Sequence, residues 1–302
     1  MQTSVPRVEL APGLSVSRPA VGMWRAHLID SDQQLARWIE HCLDLGLTTF
    51  DHAAVYGKAQ TEERFGSILV QNPSLRRQVQ IITKCGIATP SLVSGIGEVY
   101  YDSSAEHIHW SVDRSLKQLR VEQIDLCLLH RPDLLMDVEE TFAAMGALVA
   151  AGKVAHWGVS NFDVELTLAL ASRFPGLIRV NQVELSLLAP APIVQGEVLR
   201  LQMAGIATMA WSPLAGGALT SSLVKDLDPQ LLRALNEMAD TYGVSDVASI
   251  ALAWLLRHPA CLIPVVGTFN PRNLEAIVLA TGLSLSKSDW YRLAAAAGHK
   301  AI

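Results

Sequence analysis

Residues 124–130 read IDLCLLH, five apolar side chains in a run of seven with a histidine at its end. Positions 126 to 129 are apolar one after another. A strand with one face in water would alternate, so an unbroken run of this length reads as a strand buried on both faces. Such strands belong to parallel sheets covered by helices on either side. Seven more short runs are β-branched or Leu-rich without strict alternation: TTFDHA (48–53), VQIITKC (79–85), VAHWGVS (154–160), IRVNQVE (178–184), GIATMAWS (205–212), CLIPVVG (261–267) and, more weakly, RPAVGMW (18–24).

Helical periodicity fills the gaps between these runs. Ser31 and Gln34 have capping-box spacing and open an amphipathic stretch to Leu45, which Gly46 stops. Ser103 and Glu106 repeat that spacing ahead of EHIHWSVDRSLKQL, where Ile108, Val112, Leu116 and Leu119 share one stripe. Further helices are expected near 59–70, 137–151, 163–173, 191–204, 229–242 and 245–258. Eight strands, each followed by a helix, predict an α/β fold of the (β/α)8 TIM-barrel type. Residues 5–17 carry no helix signal and are expected to form a small hairpin or lid before the first barrel strand. Extra helices are expected at the C-terminal end. No linker or low-complexity tract divides the chain, so residues 1–302 read as a single domain.

The balance of 24 Lys and Arg against 29 Asp and Glu gives a net charge of −5, with no basic block to attract nucleic acid. No apolar stretch reaches the ~18 residues that span a bilayer, and the N-terminal MQTSVPRVEL lacks a signal core. Cys42, Cys85, Cys127 and Cys261 form no Cys-x-x-Cys pair and read as reduced, buried thiols of a cytoplasmic protein.

Six runs close on polar or aromatic residues: Asp51, Lys84, His130, Ser160 with Asn161, Gln182, and Trp211 with Ser212. Each has an ordinary explanation alone, as a cap, a surface charge or a satisfied core histidine. In a β/α barrel, however, all those ends lie on one rim, where active sites are built. Tyr56 follows Asp51 by five residues. A phenol with a pKa of about 10 needs ~4 kcal/mol of differential stabilisation to titrate near 7. An ammonium beside it supplies part of that, and a carboxylate keeps the ammonium charged. An imidazole on the same rim can hydrogen-bond a carbonyl oxygen. Asp51, Tyr56, Lys84 and His130 thus form a proton-delivery set suited to carbonyl reduction.

On these residues the chain resembles the aldo-keto reductases, in the branch that includes bacterial oxidoreductases and potassium-channel beta subunits. The stretches that carry the resemblance are FDHAAVYG (50–57), ITKCG (82–86), IDLCLLHRPD (124–133), GKVAHWGVSNF (152–162), NQVELSLL (181–188), AWSPLAGGAL (210–219) and, in outline, IPVVGTFNPRNLEAI (263–277). The resemblance implies Tyr56 as general acid, Lys84 lowering its pKa, Asp51 anchoring Lys84, and His130 orienting the carbonyl. It implies a nicotinamide cofactor, NADP with NAD as the alternative, held without a Rossmann fold. Ser160, Asn161 and Gln182 would bind the carboxamide, with Asp51 nearby, and Trp211 would stack on the nicotinamide. Ser212, Pro213, Leu214, Gly216 and Gly217 would meet the diphosphate. Gly22, Met23 and Trp24 would touch the cofactor from the first strand, and Gly267, Thr268, Phe269, Asn270, Arg272 and Asn273 would meet its adenosine end. Trp24, Val55, Tyr56, His130 and Arg131 would line the substrate pocket for a small carbonyl compound.

The adenosine end departs from the family pattern at Phe269, Asn273, Ala276 and Ile277, leaving Arg272 and Asn270 to reach a 2′-phosphate. The chain ends soon after KSDWYRLAAAAG, so no long C-terminal loop is expected over the pocket. Three rival readings stand beside this one. A Rossmann dehydrogenase would need a third glycine where GIGEVY (95–100) has Tyr100, and that stretch reads as a surface loop. A metal-dependent hydrolase would need more than His107 and His109, whose i, i+2 spacing points them apart on a helix; no metal is expected. A cofactor-binding sensor with slow or no turnover would keep the fold without the chemistry.

Overall fold

The computed structural model describes residues 5–220 and 227–299. The single domain expected over 1–302 therefore includes residues 1–4, 221–226 and 300–302, which lie outside the described residues, as does the start of the N-terminal stretch.

The chain begins with a hairpin, β1 (Arg7–Ala11) and β2 (Leu14–Ser17). The barrel strands are β3 (Ala20–Gly22), β4 (Thr49–Asp51) and β5 (Gln80–Cys85). After a second small hairpin of β6 (Ile87–Ala88) and β7 (Tyr100–Tyr101) come β8 (Ile124–Leu129), β9 (Val154–Ser160), β10 (Ile178–Glu184), β11 (Ala207–Trp211) and β12 (Ile263–Val266). The eight barrel strands pair in parallel in chain order, and β12 closes onto β3 through Val265 against Ala20. The protein is an α/β barrel of the TIM type.

The double burial read from IDLCLLH has a direct cause. Leu126 and Leu128 point into the barrel, joining Ile82, Val180, Met209 and Ile263. Cys127 and Leu129 point outward into the layer between strands and helices, with Phe50, Ile81 and Trp157. Two cores thus share every strand, so neither face can be polar.

The N-terminal hairpin closes the floor of the barrel and does not act as a lid. Leu10, Leu14 and Val16 pack beneath Ile82, Leu126 and Val180. Ser17 N–H donates to Thr49 Oγ1 at 2.8 Å, and Arg7 Nη1 donates to Thr48 Oγ1 at 2.6 Å, both at the start of β4. The hairpin therefore occupies the end opposite the strand C-termini.

Helices follow the strands as read, with two corrections. Helix Asp32–Asp44 is capped by Ser31, whose side chain accepts from Gln34 N–H. In helix Ala105–Leu119 the cap is Ser104, not Ser103. Ser103 Oγ instead donates to Asp133 Oδ2 at 2.9 Å. The single helix expected over 191–204 is two pieces, Ala191–Val194 and Glu197–Met203, because Gly196 adopts a left-handed φ of 73° between them. Two helices, Pro229–Tyr242 and Val247–Leu256, lie between β11 and β12. After helix Pro271–Ala280, the extra C-terminal helix Lys287–Ala296 docks through Trp290, which stacks on Trp254 at 4.7 Å. Each of those indoles donates to the other's backbone carbonyl. Cys42, Cys85 and Cys127 are buried, whereas Cys261 is exposed, contrary to its apolar neighbourhood in sequence.

Candidate functional site

The C-terminal strand ends form one cleft of about 760 Å³. β4 delivers Asp51 to its floor. Beyond the strand the backbone stays pinned to β5: His52 N–H donates to Ile82 O and Ala54 N–H donates to Lys84 O. The chain then turns sharply at Tyr56 through Gly57, Lys58 and Ala59, all at left-handed φ. A Cβ on Gly57 would lie 2.8 Å from Thr61 Cγ2 and 3.0 Å from His27 Cβ, so the turn that aims Tyr56 requires glycine there.

Lys84 comes from β5 and is 1% exposed. Its three hydrogens are all spoken for. Nζ donates to Asp51 Oδ2 at 2.6 Å, to His52 O at 2.9 Å and to Tyr56 Oη at 3.3 Å. Asp51 Oδ1 accepts from Gln182 Nε2 at 3.0 Å, which completes the carboxylate's surroundings. Burial works against the Lys84 ammonium, but Asp51 and Tyr56 together outweigh it and hold its pKa above the ordinary lysine value. On Tyr56, burial is the largest influence and raises the phenol, while Lys84 pulls it down. The net direction is up, so the lowering expected from Lys84 is present but outweighed by burial.

His130 follows β8, with its N–H donating to Cys85 O at 2.9 Å, and its ring meets the edge of Tyr56 at 5.9 Å. Burial, then the charges of Lys84 and Arg131, hold it well below the usual histidine pKa, so the imidazole is neutral. A neutral ring still offers one N–H donor.

A polar strip runs away from this centre. Asn161, at a left-handed φ of 61°, donates through Nδ2 to His130 O (3.1 Å) and Ser160 Oγ (2.9 Å). Its Oδ1 accepts from Trp211 Nε1 at 2.9 Å. Trp211 thereby stands fixed over the cleft. Ser212, Pro213, Leu214, Gly216 and Gly217 continue the wall, and Gly22, Trp24, Gly267, Thr268 and Asn273 face them. A Cβ on Gly22 would lie 3.1 Å from Val265 Cγ1 and 3.7 Å from Gly267 Cα, so the floor there is backbone pressed against backbone. An amide-bearing ring fits between Trp211 and the Ser160–Asn161–Gln182 polar groups. An anionic chain fits along the glycine turn, where backbone approach is unobstructed.

Several expected residues stand elsewhere. Met23 is fully buried beneath the cleft. Val55 packs with Ala54, Ala59 and Leu92 outside the cleft lining. Phe269 turns away onto Trp38, with ring centres 4.4 Å apart, and lines a separate surface depression. Asn270 caps helix Pro271–Ala280 by accepting from Arg272 N–H, and neither it nor Arg272 lines the cleft. Arg25, Thr220, Val265, Val266 and Ile277 do line it. Arg25 stood beside Trp24 in the sequence as a signal; the aliphatic residues offered none. Among the described residues no cluster of three or more His, Cys, Asp or Glu is placed to hold a metal. His107 is packed inside its helix, 3.8 Å from Asp102, and the His52 ring is buried against Phe65. No helix among the described residues is long and apolar enough to cross a membrane.

Comparison with known proteins agrees with this fold. The model of the aldo/keto reductase family matches residues 20–297. The 6-dehydroglucose reductase of Agrobacterium fabrum is 40% identical over 291 residues, covering 95% of this chain and 96% of that protein. Oxidoreductase YdhF of Escherichia coli is 37% identical, covering 97% and 98%. Among solved structures, a thermostable aldo-keto reductase bound to the inhibitor epalrestat superposes with a TM-score of 0.81 at 25% identity, covering 96% of this chain and 99% of that one.

Proposed function

The chain belongs to the aldo/keto reductase family, and from that premise we propose that it reduces aldehydes and ketones to alcohols with NADPH, using Tyr56 as general acid. The observation that carries this reading is the Lys84 ammonium, which spends its third hydrogen on Tyr56 Oη. The phenol oxygen accepts from Lys84, so its own proton is free to point into the cleft. Burial keeps Tyr56 protonated at neutral pH, the state an acid must start from. Lys84 then stabilises the phenolate as the proton leaves, and Asp51 holds Lys84 charged and in place. His130, neutral, donates a hydrogen bond to the carbonyl oxygen and polarises it.

A bound nicotinamide cofactor supplies the hydride. Trp211 would stack on its ring, while Gln182, Ser160 and Asn161 hold the carboxamide. Ser212, Leu214, Gly216 and Gly217 would receive the diphosphate, and Thr268 and Asn273 the adenosine end. Relatives whose names carry 6-dehydroglucose, from Agrobacterium fabrum and Novosphingobium aromaticivorans, direct the first substrate screen to sugar-derived aldehydes.

The test is single-turnover oxidation of bound NADPH by a panel of aldehydes, read by cofactor fluorescence. Wild-type protein should oxidise it, and Tyr56→Phe should slow the step by about 10²–10⁴ with cofactor affinity retained. Undiminished turnover in that variant would remove Tyr56 from its role. Cofactor that binds and is never oxidised by any aldehyde would replace the reductase with the sensor.

A further inference from the structure

Two arginines that line the cleft, Arg25 and Arg131, are not used by the proton-delivery set. Arg131 follows His130 at the end of β8, is exposed, and lines the cleft. Among the described residues no carboxylate lies within salt-bridge distance of it. The nearest acid in sequence, Asp133, is engaged elsewhere, accepting from Ser103 N–H, Ser103 Oγ and Leu135 N–H at 2.8–3.0 Å. Among the described residues the one acid in the cleft lining is Asp51, which is engaged by Lys84 and Gln182. Arg131 therefore faces the reacting centre as an unneutralised guanidinium. Its charge is felt there: it opposes the rise that burial gives the Tyr56 phenol, and it adds to the fall that burial and Lys84 give His130.

The barrel's strand order sets this arginine at one end of the polar strip, because β8 pairs with β9. The strip occupies the ends of β9, β10, β11 and β12 and continues onto β3, whereas Arg131 stands at the end of β8. In a closed eight-stranded barrel β8 lies opposite β12. Arg25, after β3, borders the strip and is placed to meet its anionic ligand. Arg131 lines the cleft beside His130, on the side of the ring opposite the Gly267 end of the strip. A guanidinium offers a fork of donors that matches an oxyanion, carboxylate or phosphate, in two parallel hydrogen bonds.

We propose that Arg131 selects carbonyl substrates that carry an oxyanion group a few atoms from the carbonyl, binding that group while His130 and Tyr56 take the carbonyl oxygen. The carbonyl half of this assignment rests on the reductase reading; the anion half does not. Arg131 acts mainly on binding, so its removal raises KM for anionic substrates more than it lowers kcat.

The experiment compares size-matched pairs with wild type, Arg131→Gln and Arg131→Lys: succinic semialdehyde against butanal, and glyceraldehyde 3-phosphate against glyceraldehyde. The expected result is a preference for the anionic member in wild type that falls about tenfold to a hundredfold in Arg131→Gln, through KM, and returns in part in Arg131→Lys. Whichever pair responds identifies carboxylate or phosphate. An anionic-to-neutral ratio the same in wild type and Arg131→Gln for both pairs overturns the proposal. A second readout is independent of turnover: binding of succinate and of inorganic phosphate to NADPH-loaded protein, followed by tryptophan fluorescence. If no aldehyde is reduced but one anion binds in an Arg131-dependent way, the reductase reading falls and the anion site stands. If neither anion binding depends on Arg131, the site falls whatever the turnover.

Discussion

Two carboxylates are buried on either side of strand β5, and they meet opposite fates. Inside the barrel, Asp51 is 2% exposed and sits 2.6 Å from the Lys84 ammonium. Outside it, Glu62 is 1% exposed in the layer between helices Thr61–Gln71 and Ala105–Leu119. Glu62 accepts from Thr83 Oγ1 at 2.6 Å and Ser115 Oγ at 3.1 Å, with Arg114 Nη1 only at 3.7 Å. Burial raises its pKa, against the pull of the two hydroxyls and the arginine. Thr83 and Lys84 are consecutive residues, so the alternation of a strand sends one to each carboxylate. The difference between the two sites is the partner. An ammonium at hydrogen-bonding distance fixes a charged carboxylate that can serve chemistry. Two hydroxyls and a more distant arginine leave burial in control, so the Glu62 carboxyl is held above its ordinary pKa. Depth of burial alone does not distinguish a functional acid from a structural one.

The strongest way to break this contrast is Lys84→Met. It should strand the Asp51 charge in the barrel and cost about 3–5 kcal/mol in chemical denaturation, along with activity. Adding Asp51→Asn should recover most of the stability and none of the activity. If the double variant is as unstable as the single one, the loss comes from packing and not from an orphaned charge.

A smaller effect attaches to His52, which extends the outer layer. Its ring is fully buried, and neither nitrogen has a hydrogen-bond partner among the described residues. Burial, aided by Lys84, drops its pKa to about 3. The folded state thus refuses a proton that the unfolded chain accepts near 6.5. Stability is complete above that value and declines as pH falls from about 6.5 toward 3. At pH 5 the loss from this group is about 2 kcal/mol. His52→Leu should flatten that part of the pH–stability curve; a wild-type slope in the variant would mean the ring is solvated. His130 is also depressed and should leave a residual slope.

The smallest expected effect is at Glu62. Glu62→Gln keeps an acceptor for Thr83 and places an amide near Ser115. The change in stability at pH 7 should lie within about 1 kcal/mol, with turnover intact. A cost as large as that of Lys84→Met would show that Glu62 is held charged, and the two carboxylates would no longer differ in kind.

Legibility in the sequence varied with the range of the interaction that decides each feature. Ser31 could be identified as a cap because its partner, Gln34, is three residues away. Ser103 misled because Ser104 has equal claim to the cap, and the tie is broken by Asp133, 30 residues on, which takes Ser103 instead. Phe269 fell in a stretch matched to the cofactor's adenosine end, yet Trp38 offers it an aromatic face from the far side of the β12–β3 junction. Val265 and Val266 line the cleft but carry no chemical mark to single them out.

The sequence by itself determined the barrel and the rim. Eight short apolar-rich runs without strict alternation read as strands with a core on each side, and chain order with right-handed crossovers then puts all their polar ends together. What the tertiary structure alone decided is the state of each group on that rim. The sharing of Lys84 among Asp51, His52 and Tyr56, the neutrality of His130, and the charge of Arg131, unpaired among the described residues, depend on distances of a few ångströms between residues from different strands and on how far water is excluded. Coulombic and desolvation energies vary steeply with both, and neither quantity is local to any stretch of the chain.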